Sequence, residues 1–193
     1  LHSKQVWLVR NRREKIAADI REMTQPCASE PLDPFDLSSA LGINLMTPFE
    51  IKTADTSCVN NLCGSYSDEW DAFTIAALEI NKIVIVYNPT KPPKRINATL
   101  MEEVSHIILD HEPSRITQQS GTFFRDYNSE QEDEAKYVGW AALLPRASLR
   151  WAIDEKLSMQ DISDHFGTSP EMVSYRLNMT NLRKAHLKSI ANT

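Results

Sequence analysis

Between Leu100 and Leu109 the sequence reads LMEEVSHIIL, and this stretch restricts the fold more than any other. On a helix turning about 100° per residue, with Glu102 at zero, Glu103 lies at about 100°, His106 at about 40° and Asp110 at about 80°. Leu100, Val104, Ile107 and Ile108 fall at roughly 140° to 240°, on the opposite side. So wide an apolar stripe belongs in a core, and so narrow a polar stripe suits a helix that shows one face to a cleft. Glu102 and His106, four residues apart, can reach one ion from adjacent turns. Spacing alone leaves two readings open: a metal-binding face, or the ordinary polar face of an amphipathic helix.

The rest of the chain supplies the elements around that helix. With 193 residues there is enough chain for a sizeable core. A composition of 41% hydrophobic and 24% charged residues is that of a globular protein. The longest apolar runs, such as Ile83 to Tyr87, are too short to span a bilayer, so no membrane role is expected. Charges scattered through the first twenty residues and the lack of a cleavage site argue against a secretory signal. Three cysteines, Cys27, Cys58 and Cys63, fit no metal-knuckle or redox spacing, and a reducing cytoplasm is the expected setting. The net charge of -5 offers nucleic acid no general attraction.

Apolar positions at Ile16, Ala17 and Ile20 predict a first helix from Trp7 to Met23, and Pro34 to Gly42 predicts a short second one. Thr53 to Ser67, with Asn60, Asn61, Gly64 and several serines, reads as an irregular connection. DAFTIAALEI and KIVIVYN then read as paired strands joined near Glu79 to Lys82. The prolines of NPTKPPK end the second strand, and Asn97 or Thr99 is the expected cap of the central helix. A second long helix is predicted from Ser129 or Glu130 to Pro145. Ile162, Phe166, Met172, Val173 and Leu177, spaced about Gly167 with Ser169 as a cap, predict a helix-turn-helix-like pair. Trp70, Trp140 and Trp151 are expected as core anchors, while His2, His165 and His186 are expected in solvent.

Two stretches together resemble a known family. Arg95 to Leu109 (RINATLMEEVSHIIL) and Glu132 to Pro145 (EDEAKYVGWAALLP) are similar to the ImmA/IrrE metallopeptidases, which read R-x-x-x-T-L-x-H-E-x-x-H and then E-A-N-x-F-A-A-x-L-L-x-P. Arg95, Thr99, Leu100, Glu103, His106, Glu134, Ala135, Leu143 and Pro145 occupy matching positions. The resemblance runs from about Asp71 to Leu177 and includes the strand before the central helix and the C-terminal helix pair.

The resemblance implies an α+β fold: a mainly helical, zincin-like domain at residues 1–145 with a small antiparallel sheet, then a helix-turn-helix-like segment at 146–193 packed on it. It implies metal ligands at Glu102, His106 and Glu134, with Glu103 as the general base. Glu102 stands where the family has a histidine. A carboxylate there still permits zinc and makes manganese or iron more competitive. Asp110 shares the polar face and is the candidate to orient His106, whereas His111 reads first as a helix-end residue, and as a ligand only where the helix terminus turns it back.

The implied activity is endopeptidase cleavage of a regulatory protein, such as a helix-turn-helix repressor, in a stress response. Two other readings stay open: a non-catalytic relative that binds a partner, and a DNA-binding regulator using its C-terminal helices. Six basic residues against five acidic ones between Arg150 and Lys188 give weak footing for phosphate contacts.

Overall fold

The computed structural model describes residues 2–24, 27–52, 54–77, 82–112, 116–119, 122–125 and 128–191. The chain opens with α1 (His2–Glu22), which starts earlier than its apolar spacing predicts and buries Ala17, Ile20 and Arg21. The second helix, α2 (Pro34–Ala40), is set by Asp33, whose carboxylate accepts the Phe35 N–H at 2.7 Å, and by Pro34 in its first turn. Thr53 to Ser67 is not wholly irregular: α3 (Thr56–Cys63) lies within it. The Asp55 side chain accepts from the N–H groups of Ser57 and Cys58. This start signal outweighs the poor helix propensity of the asparagines and serines.

Three strands form one sheet in the order β1 (Asn44–Met46), β3 (Lys82–Tyr87), β2 (Ala72–Ala77). The pair read from the sequence is present and antiparallel, with Thr74 opposite Ile85. The sheet as a whole is mixed rather than antiparallel, because β1 pairs with β3 in parallel, Leu45 opposite Ile85. A three-residue strand leaves almost no periodic signal, and a parallel partner needs a long crossover, here supplied by α3 and β2. As the central strand, β3 has neighbours on both sides, and Ile85 and Val86, which point to opposite faces, are both buried. That is why its sequence is continuously apolar. Most of the expected connection near Glu79 to Lys82 lies outside the described residues.

After β3, Asn88 is fully buried, and its amide donates to the carbonyls of Ser67 (2.8 Å) and Trp70 (3.1 Å). The central helix, α4 (Pro93–Ile108), begins at Pro93 and not at a cap on Asn97 or Thr99. The prolines that stop the strand also start the helix, since the first turn has no use for the missing N–H groups. Beyond α4 come a two-stranded pair, β4 (Ile116–Gln119) and β5 (Thr122–Arg125), and then α5 (Ser129–Leu143). The α5 start matches its predicted position, with Asn128 accepting from the N–H groups of Glu130 and Gln131.

Helices α4 and α5 cross closely at Gly139. A Cβ there would stand 2.8 Å from the Met101 carbonyl oxygen, so only glycine permits this approach. Leu100, Met101 and Val104 from α4 meet Val138, Ala141, Ala142 and Leu143 from α5, with Ile85, Ile20 and Leu37 completing this core.

A second core gathers Leu144, Leu149, Ala152, Ile162, Phe166, Val173, Leu177 and Leu182. It unites α6 (Arg146–Asp154), α7 (Met159–His165) and α8 (Pro170–Met179), and its last member, Leu182, leads into α9 (Arg183–Ala191). The α7–α8 pair forms as the spacing predicts. Gly167 turns at φ +60°, and the Ser169 hydroxyl accepts the Met172 N–H at 3.1 Å.

Arg176 of α8 reaches back across the first core. It makes two hydrogen bonds of 2.9 Å to the Glu14 carboxylate and one of 3.0 Å to the Leu144 carbonyl. His186 is buried rather than solvated, with its Nε2 2.9 Å from the Leu157 carbonyl oxygen. Sequence position near a terminus did not reveal that α9 lays His186 against the turn after α6. His165 is exposed as expected, and its ring lies against Trp151 with centroids 4.9 Å apart. Trp70, Trp140 and Trp151 are half-buried. No helix among the described residues is long and apolar enough to cross a membrane.

Candidate metal centre

The narrow polar face of α4 meets the N-terminal half of α5, with an ion pair at one end and a backbone turn at the other. Arg95 donates twice to Asp71, at 2.7 Å each, fixing the start of α4 beside β2. At the other end Asp110 adopts a left-handed backbone, φ +53°. Its N–H bonds the Ile107 carbonyl at 3.1 Å, and the His111 N–H bonds the His106 carbonyl at 3.0 Å. These two bonds are a Schellman closure, in which the left-handed residue turns the chain back over the helix end. His111 is thereby laid on His106.

The two rings stand Nδ1 to Nδ1 at 3.0 Å, with centroids 5.0 Å apart and planes at 73°. Each outer nitrogen faces a carboxylate of α5. His106 Nε2 is 3.5 Å from Glu132 Oε2, and His111 Nε2 is 3.6 Å from Glu134 Oε2. The other Glu134 oxygen receives Arg13 Nε of α1 at 3.4 Å. The His111 side chain is only 7% exposed. Burial and the neighbouring His106 lower its pKa against the pull of Glu134, favouring the neutral imidazole that a metal ligand must be.

Glu102 is half-buried, and burial raises its pKa to about 7, with Glu132, Glu103 and Asp71 adding to the rise and Lys136 opposing it. Glu103 takes a different direction: its Oε2 accepts a hydrogen bond from the Thr74 hydroxyl of β2. Among the described residues no hydrogen bond or ion pair joins Glu102 to His106 or Glu134. The expected trio of Glu102, His106 and Glu134 is therefore not drawn together by direct contact. Asp110 is exposed, and its side chain makes no hydrogen bond or ion pair among the described residues. Its observed part is the backbone turn.

Among the described residues no three His, Cys, Asp or Glu side chains already converge as a metal cage. The donor set nevertheless suits a divalent ion in kind, with two imidazoles and two carboxylates in mutual reach. The three separations run through opposite nitrogens of each ring, Nδ1 to Nδ1 between the histidines and Nε2 to each carboxylate, so they do not outline one coordination site.

Sequence reading weighed His111 mainly as a helix-end residue and passed over Glu132 in this cluster, together with Arg13 and Thr74, which hold its members. The available signal was Leu-Asp-His at the helix end, where aspartate is one of the few residues that tolerate a left-handed closure. Arg13 and Thr74 lie about 120 and 30 residues from the groups they hold, and no local pattern reports such contacts.

Residues 40–178 match the family model Peptidase_M78, described as the IrrE N-terminal-like domain. No curated protein and no solved structure matches the chain. The matched span takes in β1 through most of α8, including both helices of the His–Glu cluster and Glu103 on its strand-side hydrogen bond. The chain belongs to the ImmA/IrrE family of metallopeptidases.

Proposed function

We propose that the protein is a metal-dependent endopeptidase that cleaves a regulatory protein, a helix-turn-helix repressor being the substrate that the family resemblance favours. The observation that carries this reading is the division of labour along α4. His106 faces the carboxylates of α5, while the adjacent Glu103 faces β2 and is held there by Thr74.

His106 and Glu134 are the donors that would hold the ion, with zinc favoured by an imidazole-and-carboxylate set. A bound divalent cation supplies Lewis-acid polarisation of the scissile carbonyl and acidifies a water molecule. Glu103 takes the proton of the attacking water and returns it to the leaving amine, and the Thr74 hydroxyl keeps its carboxylate aimed while it does so. Glu132, 3.5 Å from the outer nitrogen of His106, is placed to orient that ring.

An extended peptide has a place to lie. Among the described residues β2 pairs only with β3, so its other edge offers free N–H and C=O groups beside Thr74 and Glu103. Phe73 and Ile75, both exposed, point to the face opposite Thr74 and can take alternate side chains of such a peptide. DNA recognition by α8 is disfavoured, because Arg176 is buried against Glu14 and Lys94 occupies Asp164 of α7 at 2.5 Å.

The test is cleavage of a mixed library of extended peptides by zinc-loaded protein. Glu103→Gln should lower the rate by about 10²–10⁴-fold while leaving zinc bound. Full activity in metal-stripped wild type would overturn the reading.

A further inference from the structure

A cleft of about 440 Å³ opens between α1, the start of α6 and the turn after α8, where the first core meets the second. No residue of the His–Glu cluster lines it. We propose that this cleft is a second binding site, for a small molecule carrying a phosphate or carboxylate group, with the oxyanion held between Arg10 and Arg146. The proposal concerns a different part of the molecule from the peptidase reading and does not rest on it.

The two guanidiniums bring charge that the cleft does not balance. Among the described residues neither Arg10 nor Arg146 forms an ion pair. Glu14, the carboxylate in the cleft wall, gives both oxygens to Arg176 at 2.9 Å, and one of them also accepts from the Tyr137 hydroxyl. With Arg176 set against Glu14, the charges of Arg10 and Arg146 are left over.

Closing the end of α8 does not use those charges up. The N–H groups of Thr180, Asn181 and Leu182 bond the carbonyls of Arg176, Asn178 and Leu177 at 2.9, 3.1 and 2.9 Å, with Asn181 left-handed at φ +57°. The arginines touch only the next two carbonyls, Arg10 that of Met179 and Arg146 that of Thr180, each at 3.4 Å. Such contacts are long beside the 2.9 to 3.0 Å bonds of Arg176. Each guanidinium commits one donor to them, and the rest of its planar fork, which matches phosphate and carboxylate alike, stays available.

The remaining wall fits an organic body behind the anionic group. Ala18, Pro145 and Met179 supply apolar surface, and exposed Asn11 and Asn181 supply amides. The volume lies within the ~300–1,000 Å³ of small-molecule sites, which favour seams between packed units. Pro145 gives α6 no side-chain cap, and the first two helical residues, Arg146 and Ala147, line the cleft, so the positive end of that helix adds to the arginines.

The experiment titrates the full chain, in buffer containing a chelator, with inorganic phosphate and separately with succinate. Sodium chloride holds the ionic strength constant, and the readouts are the thermal unfolding midpoint and the heat of binding. A saturable rise of the midpoint is expected with at least one probe. A response to phosphate alone assigns a phosphate ligand, to succinate alone a carboxylate, and to both their shared chemistry. Arg10→Gln and Arg146→Gln should each weaken binding by about tenfold or more, the loss of a charge-assisted hydrogen bond. Arg12→Gln, exposed on the other side of α1, should change it by less than about twofold. Absence of saturable binding to either probe in folded wild type would overturn the proposal, as would a loss in Arg12→Gln equal to that in Arg10→Gln. Arg146 is exposed, so its substitution tests the site even where Arg10→Gln disturbs folding, and unchanged binding in Arg146→Gln would also overturn it.

Discussion

Asp110 shows how one residue changes meaning between a helical wheel and a folded chain. On the wheel it shares the polar stripe with His106 and reads as the carboxylate that orients it. In the fold its side chain is exposed and its backbone, at φ +53°, makes the reversal that brings His111 home. Glycine adopts that conformation without the Cβ penalty, which is about 1 kcal/mol for other residues. Asp110→Gly is therefore expected to raise folding stability by about 0.5–1 kcal/mol, measured by urea denaturation, and to leave zinc affinity unchanged. An orienting carboxylate would instead lose ~10–100-fold in affinity on the same substitution.

At the scale of elements, the site depends on how closely α5 approaches α4, and Gly139 sets that distance. Alanine is the better helix former by about 1 kcal/mol, so propensity alone predicts that Gly139→Ala stabilises the protein. The contact decides otherwise. A Cβ 2.8 Å from the Met101 carbonyl oxygen meets backbone, which cannot swing aside. Overpacking of this kind costs about 1–3 kcal/mol, and separating the helices at this crossing also shifts the half of α5 that carries Glu132 and Glu134. Gly139→Ala should be net destabilising by about 1–2 kcal/mol in urea melts and should weaken metal binding, although no ligand is altered. Gly167 belongs to the same scale: its φ of +60° sets the turn between α7 and α8, and its carbonyl accepts the Asn97 amide of α4 at 3.1 Å.

Across the whole molecule, the C-terminal helices are joined to the first core by charge as well as by apolar contact. Arg176 is fully buried and forks onto Glu14 of α1, while the Tyr137 hydroxyl of α5 donates to the same carboxylate at 2.7 Å. Burial alone would raise the Glu14 pKa. The Arg176 bonds and charge, with the Tyr137 bond and Arg10, outweigh it and hold the pKa below the ordinary value of 4.5. A lowered carboxylate pKa contributes stability that is present above 4.5 and is lost as pH falls through the folded-state value. Removing the charge by Glu14→Gln leaves a buried guanidinium without its counter-ion, a loss of about 3 kcal/mol at neutral pH. The gap between wild type and Glu14→Gln, measured by denaturation across pH 3 to 7, should close toward the acid end. A gap that stays constant over that range would mean that Glu14 contributes through packing and not through its charge.

Much of the architecture was legible in the letters because it is local. The apolar spacing of α4, the Asn128 start of α5, the continuous run of β3 and the Gly167–Ser169 turn each depend on residues within a few positions of one another. The family resemblance was legible for the same reason: it rests on two contiguous stretches. The short β1, the helix hidden between Thr53 and Ser67, and the burial of His186 were not, since they are decided by partners distant in sequence or by a single cap. The site divides along the same line. His106, Glu103 and Glu134 are readable as residue types at motif spacing. Only the tertiary structure brings His111 back onto His106 and aims Glu103 at Thr74, because helix ends turn and helices cross in three dimensions that a periodicity of about 3.6 residues does not encode.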